Sequence, residues 1–148
     1  MNESKLILVL GDQLSLDQPA LKQSEPGRDI IVLAEVAEEA TYVRHNRHKI
    51  ALLFAAMRHF RLELEKLGYD VHYTAIDQGV ASLKEAVHNV LLQTAAKEVV
   101  VCEPGEYRLV HQMRNAWSSS LGVPVTVLED DRFLASHEDF ERWARGKK

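Results

Sequence analysis

Apolar runs recur along the chain at Lys5 to Leu10, Ile30 to Leu33, Val71 to Ala75, Val99 to Cys102 and Val125 to Leu128. Stretches such as Leu6-Ile7-Leu8-Val9-Leu10 and Val99-Val100-Val101-Cys102 lack polar alternation, as expected of strands covered by helices on both faces of a parallel sheet. Segments with helical spacing separate them. The strongest repeats Ile50, Leu53, Phe54, Met57, Phe60, Leu64 and Leu67 at three- and four-residue steps ahead of Gly68, and begins between Ala40 and Asn46. A second helix is predicted over about 82–95, with Ser82 as N-cap and Leu83, Ala86, Val87, Val90 and Leu91 turned inward. A third covers about 106–121 and stops at Gly122 and Pro124, and a fourth covers about 138–145 with Phe140 and Trp143 on its apolar side. Between Gln18 and Arg28, Pro19, Pro26 and Gly27 predict a loop with one short helical turn.

Strands alternating with helices predict an α/β fold, a three-layer Rossmann-like doubly wound sheet of five parallel strands in the order 3-2-1-4-5. In that order the connections after strands one and four leave to opposite faces, and a crevice opens beyond their carboxyl ends. Two loops border it, Gly11-Asp12-Gln13 and Glu103-Pro104-Gly105-Glu106-Tyr107, with Glu35 to Tyr42 alongside.

Composition narrows the class. The 148 residues suffice for one domain, 1–148, and 46% hydrophobic with 27% charged residues is ordinary for a globular chain. Net charge is −4, with basic and acidic residues interleaved, so no domain-wide basic footprint for DNA or an anionic membrane is present. A lone cysteine, Cys102, excludes an internal disulfide and any cysteine-built zinc or iron–sulfur site within this chain, and fits a reducing cytoplasm. The N-terminal apolar run is too short for a signal h-region or a membrane span, so neither export nor membrane association is expected.

Candidate chemistry concentrates on the crevice loops. Asp12 follows Gly11 at the end of the first strand, placed either to accept hydrogen bonds from a ligand or to turn the chain. Glu35, Glu38 and Glu39 form an acidic group with Tyr42 a turn beyond, suited to a flat heterocycle or to a solvated helix start. Glu103 to Tyr107 is either a pocket wall, with Gly105 allowing close backbone approach, or ordinary strand-to-helix turn chemistry. Arg44 to Lys49 is the one dense basic run, a phosphate contact or a solvated helix face. No metal-ligand spacing, dinucleotide or triphosphate fingerprint, or catalytic triad stands out, and a phosphoacceptor domain would want paired carboxylates where this chain has Gly11-Asp12-Gln13.

Several strings read together carry more. They are Leu8-Val9-Leu10-Gly11-Asp12-Gln13-Leu14-Ser15, Glu35-Val36 followed by Glu39-Ala40-Thr41-Tyr42-Val43, Lys49-Ile50-Ala51 leading to Ala56-Met57-Arg58-His59-Phe60, Glu103-Pro104-Gly105-Glu106-Tyr107-Arg108, and Asp131-Arg132-Phe133-Leu134. In combination the chain resembles the N-terminal domain of the deoxyribodipyrimidine photolyase-related proteins, the iron–sulfur bacterial cryptochrome/photolyase group. The resemblance implies a light-harvesting antenna domain, followed in complete members by a helical domain holding FAD and a four-cysteine 4Fe–4S cluster. It implies a chain that is not catalytic by itself and meets DNA only through a full-length parent. It also implies a pocket for 6,7-dimethyl-8-ribityllumazine, with Asp12, Glu39 and Tyr42 as polar contacts and Leu53 in the apolar wall; Gly11, Gln13, Glu35, Glu103, Gly105, Glu106 and Tyr107 are further candidates. The alternative expectation is an interaction module without chromophore, pairing with itself or with a separate catalytic chain through apolar surface near Phe133, Leu134 and Trp143.

Overall fold

The computed structural model describes residues 3–41 and 43–147. The strands β1 (Lys5–Leu8), β2 (Ile30–Ala34), β3 (Asp70–Thr74), β4 (Glu98–Cys102) and β5 (Val125–Leu128) form one sheet in the order β3-β2-β1-β4-β5. Every pairing is parallel, and β1 sits at the centre, with Leu6 opposite Ile30 on one side and Val99 on the other. The predicted fold class and strand order are those observed.

The pleat sorts the apolar runs into two cores, because successive side chains point to opposite faces. Leu6, Leu8, Val32, Val99 and Val101 pack on one face, against Leu83, Ala86, Val87 and Val90 of α4 (Leu83–Gln93) and Leu109 of α5 (Tyr107–Gln112). Ile7, Val9, Ile31, Leu33 and Val100 pack on the other, against Ala20 and Leu21 of α1 (Pro19–Lys22) and Met57, Phe60 and Leu64 of α3 (Arg47–Lys66). Three layers result.

Local chemistry sets the boundaries. The predicted long helix is α3, whose start is fixed at the late end of the expected range by Asn46, its side chain accepting from the His48 N–H at 2.8 Å; a separate short helix, α2 (Ala37–Thr41), precedes it. The inward stripe ends at Leu64. Leu67, expected to face inward, is the C-cap residue and is 49% exposed, because the helix closes there before Gly68 turns the chain at φ 89°. Ser82 caps α4 as expected, accepting from the Glu85 N–H at 3.1 Å.

The third predicted helix is interrupted by a π-helical turn, Met113–Trp117, between α5 and α6 (Ser118–Leu121). Four residues of α-helix overshoot a full turn, whereas four residues of the wider π turn fall short of one. Leu109, Met113 and Trp117 are thereby realigned, and all three are buried against the sheet. By contrast α7 (His137–Ala144), capped by Ser136, buries no side chain; Phe140 and Trp143, its predicted apolar side, face solvent, as do Phe133 and Leu134 just before it. Among the described residues no helix is long and apolar enough to cross a membrane.

The chain's two tryptophans therefore sit in opposite environments, Trp117 at 2% and Trp143 at 61% exposure. Urea unfolding should show Trp117→Ala losing about 3–5 kcal/mol, while Trp143→Ala should stay within about 0.5 kcal/mol of the parent.

Candidate functional site

A cavity of about 400 Å³ opens beyond the carboxyl ends of β1 and β4, within the usual range for small-molecule sites. Its floor is Leu10 and Gly11 after β1 and Ala34 and Val36 at the end of β2. One wall is Ile50, Leu53, Phe54 and Met57 of α3, and the opposite one is Leu83 and Leu109 with Pro104 and Gly105 from the loop after β4. Gly11 lets the helix wall come close: a Cβ there would stand 3.1 Å from the Met57 Sδ and 3.3 Å from the Leu53 Cδ2.

Polar groups gather at the mouth. Asp12, Glu39 and Glu106 line it, together with His45, just before α3, and Lys49 in the first turn of α3. The Asp12 side chain is exposed and its carboxylate has no hydrogen-bond partner among the described residues; one oxygen stands 3.9 Å from where a Gly105 Cβ would be. It is an acceptor free to meet a donor in the cavity. Glu39 and Glu106 are each engaged by Arg108, whose Nη2 donates to Glu39 at 3.0 Å and whose Nε donates to Glu106 at 2.7 Å; Nη1 reaches Glu38 at 3.2 Å. Burial pushes the Glu39 carboxyl above its ordinary value, the Arg108 guanidinium opposes that shift, and the charges of Glu106 and Glu38 add to it. Among the described residues no group of three or more His, Cys, Asp or Glu side chains could hold a metal ion.

Comparison with known proteins agrees with this architecture. Residues 7–148 match the family model described as deoxyribodipyrimidine photo-lyase-related protein. The chain belongs to this family. It is 42% identical over 147 residues to the (6-4) photolyase of Agrobacterium fabrum (strain C58 / ATCC 33970), an alignment covering 98% of this chain and 29% of that protein. The chain thus spans under a third of that photolyase's length.

Of the candidates suggested by resemblance to the photolyase-related family, the cavity brings together Gly11, Asp12, Glu39, Leu53, Gly105 and Glu106. Tyr42 lies outside the described residues. Four others point elsewhere. Gln13 is buried, and its Nε2 donates to the carbonyls of Cys102 at 3.2 Å and Glu103 at 3.0 Å, stitching the β1 loop to the end of β4 beneath the crevice. Glu103 pairs with Arg114 and with His137 at 3.0 Å, tying α7 to the body of the domain. Tyr107 is 81% exposed, its ring against His111.

Glu35 separates from Glu38 and Glu39 altogether. Its carboxylate is fully buried and accepts from Arg58 Nε at 2.6 Å, from the Tyr73 hydroxyl and from the Ile76 N–H at 3.0 Å, joining β2, α3 and the segment after β3. Burial alone would raise its pKa, but the bonds from Arg58, Tyr73 and Ile76 together hold it below the ordinary value, while burial and that carboxylate push the Tyr73 hydroxyl well above its own. Reasoning from sequence missed His45, Lys49 and Arg108 as parts of the mouth. For the first two the signal was the basic run itself, read as a whole instead of by helical face.

Glu35→Gln should cost on the order of 2 kcal/mol in urea unfolding, because the isosteric amide loses the charge-assisted bonds. A depressed folded pKa contributes stability that is complete above the ordinary glutamate value and is lost as pH falls through the folded one. The gap between parent and variant should therefore narrow as pH drops below about 4.

Proposed function

We propose that the chain is the light-harvesting, chromophore-binding domain of a photolyase- or cryptochrome-related flavoprotein of DNA repair or signalling, and that its cavity holds a 6,7-dimethyl-8-ribityllumazine-type ligand. One observation carries this reading: an apolar-walled cavity of ligand size at the switch point, with the Asp12 carboxylate, which makes no hydrogen bond among the described residues, and the partly engaged Glu39 at its mouth. The residues suit such a ligand. Leu53, Phe54 and Met57 offer an apolar face to a flat ring system, while Asp12 and Glu39 accept hydrogen bonds from ring N–H and ribityl hydroxyl groups. A lumazine held there would supply visible-light absorption for transfer to a flavin of the longer protein. The α3 wall excludes water from one face of the ring, and the carboxylates fix its orientation. FAD, the iron–sulfur cluster, contact with DNA and any (6-4) photolyase activity belong in this reading to a longer parent protein, since the single cysteine of this chain supplies no four-cysteine set. The lone buried thiol agrees with a cytoplasmic setting.

Titrating the chain with 6,7-dimethyl-8-ribityllumazine should give a saturable shift of its visible absorbance. Asp12→Asn and Glu39→Gln should each weaken binding about tenfold. No shift at high micromolar ligand would sink the reading.

A second reading, a surface for packing against another domain or chain, is favoured by the apolar side chains near the C-terminus, with Phe133 72%, Phe140 62% and Trp143 61% exposed. Sedimentation at rising concentration should show association that Phe133→Ser with Trp143→Ser abolishes. A strictly monomeric chain would count against self-association.

A further inference from the structure

We propose that Arg108 is the positioning residue of this cavity, a latch that holds the α2 flap across the mouth and so aims Glu39 at the ligand; the ligand half of this inference rests on the chromophore reading above. α2 is a short helix. It spans Ala37–Thr41 and buries none of its side chains, so hydrophobic packing does not hold it, and a helix of this length has no stability of its own in water. Yet it supplies Glu39 and Ala40 to the cavity lining. Among the described residues, polar groups tie it to the rest of the domain. The Glu38 N–H donates to the Ala81 carbonyl at 3.2 Å, and the Glu38 and Glu39 carboxylates accept from Arg108 at 3.2 and 3.0 Å.

Arg108 belongs to the other side of the switch point. It lies in the first turn of α5, immediately after the loop whose Gly105 and Glu106 line the opposite part of the mouth, and its Nε donates to Glu106 at 2.7 Å. One planar guanidinium thus spans carboxylates from both sides while standing outside the lining itself. An ammonium group, a point charge without a fork, does not reproduce this geometry. Without the guanidinium, Glu38, Glu39 and Glu106 are left as a cluster of like charges, and repulsion drives the flap outward.

The same arrangement predicts a shift in pH dependence. Glu39 faces Glu38 on its own helix, Arg108 and Glu106 from the α5 side, and Asp12, His45 and Lys49 around the cavity. Arg108 is the group in direct contact that keeps Glu39 ionised against its burial. Loss of Arg108 makes Glu39 protonate at higher pH, so the fall of ligand binding on acidification starts earlier.

The test compares the full chain with Arg108→Gln and Arg108→Lys, using 6,7-dimethyl-8-ribityllumazine as the probe and amide hydrogen exchange over residues 37–41 as a readout that needs no ligand. Arg108→Gln is expected to lose exchange protection in α2 while keeping that of β1 and β4. It should bind lumazine about tenfold more weakly at neutral pH, with the acid midpoint of binding moved upward. Arg108→Lys should recover part of the affinity. A merely structural arginine would lower protection throughout the sheet and leave the acid midpoint in place, and that result overturns the proposal. So does an Arg108→Gln chain with unchanged protection over 37–41. If the unsubstituted chain binds no lumazine, the chromophore reading fails, and the latch is judged by exchange over 37–41 alone.

Discussion

A sheet whose strands all run the same way must be covered on both faces, and each crossover must be right-handed. With β1 at the centre, α1 and α3 carry the chain to β2 and β3 on one face, and α4 and α5 carry it to β4 and β5 on the other. The connections leaving β1 and β4 therefore diverge, and nothing regular fills the space between them. The cavity is the direct result. Its floor is strand ends, and its walls are the N-terminal parts of helices arriving from opposite layers.

Polar side chains divide into those that join parts of this frame and those left free to act. Asp29 and Glu35 are both fully buried carboxylates with every close partner internal: Asp29 accepts from the Lys5 and Glu25 N–H groups at 3.0 and 2.9 Å and pairs with Arg28, while Glu35 binds Arg58, Tyr73 and Ile76. A buried charge is tolerated only when so satisfied. Asp12 is the opposite case, exposed at the cavity with no hydrogen bond to its carboxylate among the described residues, and Glu39 is intermediate, half-buried and held by Arg108. The distinction between joint and site lies in how many of a carboxylate's acceptor positions the fold already uses.

That distinction explains what sequence could and could not convey. Strand order, the two-sided cores and the place of the crevice were all legible, because unbroken apolar runs and helical spacing reflect burial directly. Asp12 and Gly105 followed from the loops that border the crevice, and Leu53 from the resemblance to the photolyase-related family, on the inner face of the long helix. Glu35 did not, since neighbouring glutamates in one string look alike until the pleat and the start of α2 turn them in different directions. Gln13 was misplaced for a similar reason: a loop amide next to Asp12 is drawn inward by two backbone carbonyls of β4. Leu67 shows the same limit at a helix end, where an apolar residue keeps the spacing after the helix has ceased to follow it. The π turn at Met113–Trp117 left no signal in periodicity, because it restores an alignment that an uninterrupted α-helix would have lost.

The central place of the first strand also bears on how the molecule assembles. β1 pairs with β2 through a short crossover, but its other edge must wait for β4, so that Lys5 meets Glu98 only after two further strands and their helices have been laid down. Contacts so distant along the chain carry a large loop-closure cost and are slow to form. The β1–β4 seam is where the cavity opens and where Gln13 ties the two strand ends together. In kinetic terms the binding crevice matures late, and until that seam closes the nascent domain exposes the unpaired backbone edge of its own central strand.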